Sequence, residues 1–162
     1  MFTLVEVVGV RIEMPSNQPI VLLKEMEGTT FLPIWVGSAE ASAIAFAQQE
    51  LRPSRPLTHD LIVEMLEASG TTLTAVHITD MRDGIFYAEL QMRSAEGPIP
   101  ALSARPSDAI AIALRTKTNI LVSQDLLASA GIQIPAGAEG ESEQEVEAFR
   151  EFLDQINPED FA

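Results

Sequence analysis

Two short alanine-rich stretches, Ala41-Ser42-Ala43-Ile44-Ala45-Phe46-Ala47 and Ala109-Ile110-Ala111-Ile112-Ala113, constrain the fold more than any other feature of this chain. Each reads as a helix that is small or apolar on most sides. Such a helix belongs between layers, where alanine lets neighbours approach closely. Each also follows a run of strand-like segments, so the chain must supply sheet surface to cover both.

The strands are legible around them. Residues 2–13 alternate through Leu4, Val5, Val7, Val8, Val10 and Ile12 and predict a long first strand. Pro15-Ser16-Asn17 turns the chain, Ile20–Leu23 is an apolar strand, and Glu27-Gly28 leads into a strand over Thr30–Val36. Pro33 within that strand predicts an edge position or a bulge. The first helix follows Gly37, with Ser38 as its cap. A second meander covers Leu73–Thr79, Ile85–Met92 across an Asp83-Gly84 hairpin, and Ile99–Ala104. The helix Ala109–Leu114, a short strand Asn119–Val122 and a helical segment Asp125–Ala130 complete the body. The expected class is α+β, with mixed or antiparallel sheets built from two β-meander-plus-helix units. A duplication of one such unit would explain the echo, although alanine-rich helices also match by chance.

Between the units, Arg52-Pro53-Ser54-Arg55-Pro56 breaks the first helix and another begins near Thr58. Thr58 is the expected N-cap, with Leu57 before it as a staple onto Ile62. Leu61, Ile62, Met65 and Leu66 form the expected apolar stripe, and Gly70 ends the helix.

At 162 residues, 46% of them hydrophobic and 21% charged, the chain has ample material for a core. The absence of cysteine rules out disulfides, thiolate metal sites and a cysteine nucleophile. The N-terminus lacks a basic leader and no apolar run approaches a membrane span, so a cytoplasmic protein that meets no membrane is expected. The net charge of −14 is uneven, because residues 135–162 hold 9 Asp/Glu against 1 Lys/Arg. Two parts follow: a body over 1–134 and an acidic linker and tail over 135–162. In the tail, Ser142 and Glu145 fit a capping box, and Val146, Phe149, Leu153 and Ile156 form one apolar face. A C-terminal amphipathic helix this short is marginal alone in water, so it is expected to dock on the body or on a protein partner.

No phosphate loop, dinucleotide fingerprint, HExxH or nucleophile elbow is present. What remains is a set of acids, two histidines and two arginines. Glu40, Asp60 and Asp108 each fall in the first turn of a predicted helix. Brought together they could hold Mg2+ or Mn2+, hard cations that take oxygen ligands; kept apart they would simply complement helix dipoles. His59 could act as a general base or make a structural hydrogen bond. Arg55 and Arg105, each in an Arg-Pro pair before a helix, could clamp a phosphate or pair with the acids. His77 and Trp35 read as packing residues.

In order, Leu32-Pro33-Ile34-Trp35-Val36-Gly37 with Glu40-Ala41, Arg55-Pro56-Leu57-Thr58-His59-Asp60-Leu61, Asp83-Gly84-Ile85-Phe86-Tyr87-Ala88 and Ala104-Arg105-Pro106-Ser107-Asp108-Ala109-Ile110-Ala111 form a series. That series resembles the bifunctional nuclease domain family of bacteria and plants over residues 1–134. The resemblance implies a compact α+β domain, a homodimer, and hydrolysis of both DNA and RNA. It brings no residue set with it. The assignments of His59, Asp60 and Asp108 to catalysis, Arg55 and Arg105 to substrate, and Glu40, Asp60 and Asp108 to the metal are readings of the residues. The alternative is a non-catalytic homodimeric scaffold or a small-molecule-binding module in which the same residues are structural.

Overall fold

In the computed structural model, residues 1–133 are described; the expected linker, the tail helix and the boundary at 134/135 lie outside them. The first unit is β1 (Phe2–Glu13), β2 (Gln18–Glu25), β3 (Thr30–Trp35) and α1 (Ser38–Gln48). After α2 (Thr58–Ala68), the second unit is β4 (Thr72–Arg82), β5 (Ile85–Ser94), β6 (Gly97–Ala104) and α3 (Pro106–Thr116). Three short elements follow: β7 (Ile120–Ser123), α4 (Gln124–Ala130) and β8 (Ile132–Gln133). The class is α+β, as the alternating patterns predict.

The two meanders share one sheet. Its order is β6-β5-β4-β7-β1-β2-β3-β8. Strand β7 is the seam, parallel to β4 and antiparallel to β1, which makes the eight-stranded sheet mixed. Such a seam needs a crossover, and α3 supplies it between β6 and β7. The hairpin at Asp83-Gly84 has φ of 51° and 76°, the left-handed pair that a two-residue turn between twisted strands requires. Pro33 pairs with Leu22 of β2 and lies beyond Thr30 and Phe31, the β3 residues that β8 pairs among the described residues.

One face of the sheet carries the core. Val5, Val21, Leu23, Val76, Ile78, Leu90, Ile120 and Val122 pack against Ala43 and Ile44 of α1, Ala109–Ala113 of α3, and Leu126 and Leu127 of α4. Five consecutive α3 residues are almost inaccessible, because α3 lies on β4 and β5 and is flanked by α1 and α2. Alanine at positions 109, 111 and 113 is what lets all three neighbours close in. On the opposite face Phe2 stacks on His77, with ring centroids 4.3 Å apart. Among the described residues no helix is long and apolar enough to cross a membrane.

The helix starts differ from the sequence expectation in a consistent way. The caps are Gly37, Leu57 and Arg105, each accepting the first intrahelical bond, where Ser38 and Thr58 were expected for the first two. The α2 stripe also divides: Leu61 and Met65 are exposed, while Ile62, Val63 and Leu66 are half-buried and His59 is the buried member. Positions 59, 62, 63 and 66 are the true inner face, at the i, i+3, i+4, i+7 spacing.

Because Ala109 is fully buried in the core between the sheet and the helices, Ala109→Leu is expected to destabilise the fold by about 1–3 kcal/mol. Chemical denaturation of the two proteins measures this, and an unchanged midpoint would contradict the packing described.

Candidate functional site: a bridged cluster of helix N-termini

The corrected caps put the three acids in register. Glu40, Asp60 and Asp108 each stand three residues after the cap of their helix, the position from which an acid can reach back to the cap's own N–H. Only Asp60 does so, accepting from the Leu57 N–H at 3.0 Å. Leucine has no side-chain acceptor to return the bond, so only this half of a capping box is made.

Asp108 is used otherwise. Its Oδ1 lies 2.8 Å from His59 Nε2 on α2, and its Oδ2 accepts from Arg105 Nε at 2.9 Å. Arg105, the cap residue of α3, reaches with Nη2 to Glu40 Oε1 on α1 at 2.8 Å. Glu40–Arg105–Asp108–His59 is therefore a continuous chain across the first turns of three helices. Gly37 makes room for it: a Cβ there would run into the Glu40 carboxylate.

The cluster grades from wet to dry. The Arg105 side chain is 68% exposed, Asp108 27% and His59 10%. Burial opposes ionisation of Asp108, but the hydrogen bonds from His59 and Arg105 and the Arg105 charge outweigh it and hold the carboxyl below its ordinary value of 3.8. Asp108 in turn, with Glu40, pushes Arg105 above the usual guanidinium value.

Asp60 belongs to a second pair. It accepts from Arg115 Nε at 2.7 Å, and the same guanidinium donates to the Ala111 carbonyl at 2.8 Å. Burial again opposes ionisation of Asp60 and is outweighed by Arg115, the Leu57 N–H and the charge of His59. Arg115 escaped the sequence reading, although it lies seven residues after Asp108 and hence on the same face of α3. Arg55 is brought to neither pair; it is exposed and has no side-chain partner among the described residues. Asp60 and Arg115, with Arg52, Pro56, Glu64 and Lys117, line a cavity of about 580 Å³ that Glu40, His59, Arg105 and Asp108 do not line.

The three acids do not compose an ion cage as they stand. Glu40 and Asp108 share one guanidinium, Asp60 holds another, and among the described residues no three His, Asp or Glu side chains are grouped to hold a metal. Two guanidiniums already pair all three carboxylates. What the arrangement offers is an oriented imidazole beside an exposed arginine, chemistry suited to moving a proton next to an anion.

The motif series runs from β3 into the start of α1, through the start of α2 and the β4–β5 hairpin, to the start of α3. Residues 21–135 match the bifunctional nuclease domain, and the chain belongs to that family. It is 48% identical to an uncharacterized protein of Mycobacterium tuberculosis, over 97% of this chain and 96% of that one. It is also 30% identical to bifunctional nuclease 1 of Oryza sativa subsp. indica, over 78% of this chain and 39% of that protein. With bifunctional nuclease 1 of Arabidopsis thaliana it shares 29% identity over 74% of this chain and 38% of that one. The chain thus spans well under half of the two plant proteins.

Two outcomes follow from the pairs. Arg115→Met leaves Asp60 without its partner and is expected to destabilise by about 2–3 kcal/mol, less than a fully buried pair because Asp60 keeps some solvent. Asp60 and Asp108 ionise more readily folded than unfolded, so their contribution is complete above the unfolded value and drains away as pH falls through 3.8 and below. Stability measured against pH should hold level near neutrality and fall in that acid range, and Asp60→Asn should make the fall shallower. An acid limb of equal slope in both proteins would contradict the Asp60 assignment.

Proposed function

We propose that this chain hydrolyses phosphodiester bonds in DNA and RNA, with His59 moving the proton and Arg55 and Arg105 holding phosphate. Membership of the bifunctional nuclease domain family supports the reaction class. The observation that supports the assignment is the His59–Asp108 contact of 2.8 Å, with the exposed Arg105 bonded to the same carboxylate. A protein that cuts DNA cannot use a ribose 2′-hydroxyl as nucleophile, so water must attack. His59 takes one proton from that water as its oxygen bonds to phosphorus. The bond from phosphorus to the leaving oxygen breaks, and that oxygen is protonated from solvent. Arg105 keeps donors beyond those given to Asp108 and Glu40, and Arg55 is uncommitted among the described residues, so both can meet phosphate oxygens. The working unit is a homodimer in the cytoplasm.

The closed ion pairs favour one other reading. A buried His59 held by Asp108, and Asp60 held by Arg115, are also what a non-catalytic scaffold would use to lock three helices together.

Hydrolysis of labelled single-stranded DNA and RNA separates the two, run with Mg2+, Mn2+ or a chelator on protein freed of contaminating nucleases. His59→Gln is expected to lower turnover by about 10²-fold or more, within the range of acid–base catalysis. Asp80→Asn, which alters only the exposed pair with Arg82 on β4, should leave it unchanged. Equal rates for wild type and His59→Gln at equal folded fraction would decide for the scaffold.

A further inference from the structure

We propose that Glu40 and Arg105 are positioning residues: acting through Asp108, they hold His59 with Nδ1 free to take a proton, in a cluster that has no resident divalent ion. The use of that nitrogen rests on the nuclease reading above; the position of its proton does not.

The chemistry of the donor set carries the inference. An ionised carboxylate only accepts, so Asp108 requires a proton on His59 Nε2. In the neutral ring Nδ1 is then the nitrogen with the free lone pair. That nitrogen has no hydrogen-bond partner among the described residues, yet no buried side-chain nitrogen or oxygen among them lacks one. Nδ1 therefore reaches solvent although the residue as a whole is buried.

Asp108 could not impose this order alone. Either of its oxygens would hold the proton on Nε2, but only while the side chain stays against the ring, and a partly exposed aspartate is free to swing away. Arg105 Nε occupies Oδ2 and leaves Oδ1 for His59. Arg105 is itself largely exposed and would wander, but Glu40, with only 16% of its side chain exposed, anchors the other end of the guanidinium. The planar fork spans the two acids, which a lysine ammonium cannot reproduce. Gly37 completes the arrangement, since a side chain there would push Glu40 off Arg105. The same contacts remove the vacancy an ion would need. A divalent cation between Glu40 and Asp108 would have to displace Arg105 and lie beside its charge.

The full chain labelled with ¹⁵N-histidine tests this through the ring nitrogens, His77→Gln assigning the signals of the two histidines. In its neutral form His59 is expected to show a protonated Nε2 and a bare Nδ1; a neutral ring with the proton on Nδ1 would overturn the proposal. Glu40→Gln and Arg105→Lys should raise the minor tautomer several-fold and lower hydrolysis about tenfold while His59 stays folded in, as judged by its ring-proton shifts. Glu40→Asp in place of Gln should restore part of both. Tautomer populations unchanged in Glu40→Gln and Arg105→Lys would overturn the positioning role. Substoichiometric Mn2+, a paramagnetic probe, should leave the His59 signals sharp, and selective broadening of them would show an ion in the cluster and overturn its metal-free character. Failure of the nuclease reading appears in the hydrolysis assay alone, and failure of this inference appears in the ring nitrogens.

Discussion

The structure depends on a repulsion that it has to cancel. Three helices begin close together, each with the positive end of its dipole and a carboxylate at the same turn. The dipoles would repel one another, and so would the acids. Asp108 resolves both by accepting from His59 on one side and Arg105 on the other, and Arg105 carries the connection on to Glu40. Single ion pairs of this exposure are worth little. Here each pair shortens the search of the next, so the network fixes the relative placement of α1, α2 and α3 more firmly than the sum of its parts.

That constraint also sets how α2 is turned. Turning Leu61 and Met65 inward would gain roughly 1.5–3 kcal/mol for each large side chain, but would lose what Ile62, Val63 and Leu66 now contribute. Both are left exposed while His59 and Asp60 face α3. The face that turns inward packs Ile62, Val63 and Leu66 on the core and adds the charge-assisted contacts of His59 and Asp60.

What the sequence made legible was local. Alternation found the long strands, Asp83-Gly84 found the hairpin, and the alanine-rich segments announced helices packed on several sides. Glu40, Asp60 and Asp108 were recognised as first-turn acids because that placement needs only the helix start. The caps were misjudged because Thr58 and Ser38 have the better capping side chains, and only the acid three residues after the true cap distinguishes Leu57 and Gly37. The seam at β7 was not legible, since pairing with β4 on one side and β1 on the other is decided by contacts from distant parts of the chain. Arg115 escaped for the same reason: its role depends on Asp60, 55 residues earlier, lying across α3. The inward frame 59, 62, 63, 66 was present in the sequence but hidden, because a histidine does not count as apolar in a periodicity.

Each of the two units, a three-stranded meander followed by a helix, brings one acid to the cluster. Glu40 and Asp108 occupy equivalent places, each the third residue past the cap of a helix that follows a three-stranded meander. Two acids in equivalent places, facing each other, need one shared cation and not two. The caps supply that asymmetry: Arg105 in the second unit carries the cation, and Gly37 in the first carries no side chain at all. An arginine at both caps would crowd and overcharge the junction, while glycine at both would leave the acids opposed. With one of each, the guanidinium lies between the acids, Glu40 folds into the space that Gly37 leaves, and the remaining oxygen of Asp108 is free for a histidine from the intervening helix. Because one cap carries the guanidinium and the other carries no side chain, the two acids meet across a single arginine and a place is left for His59.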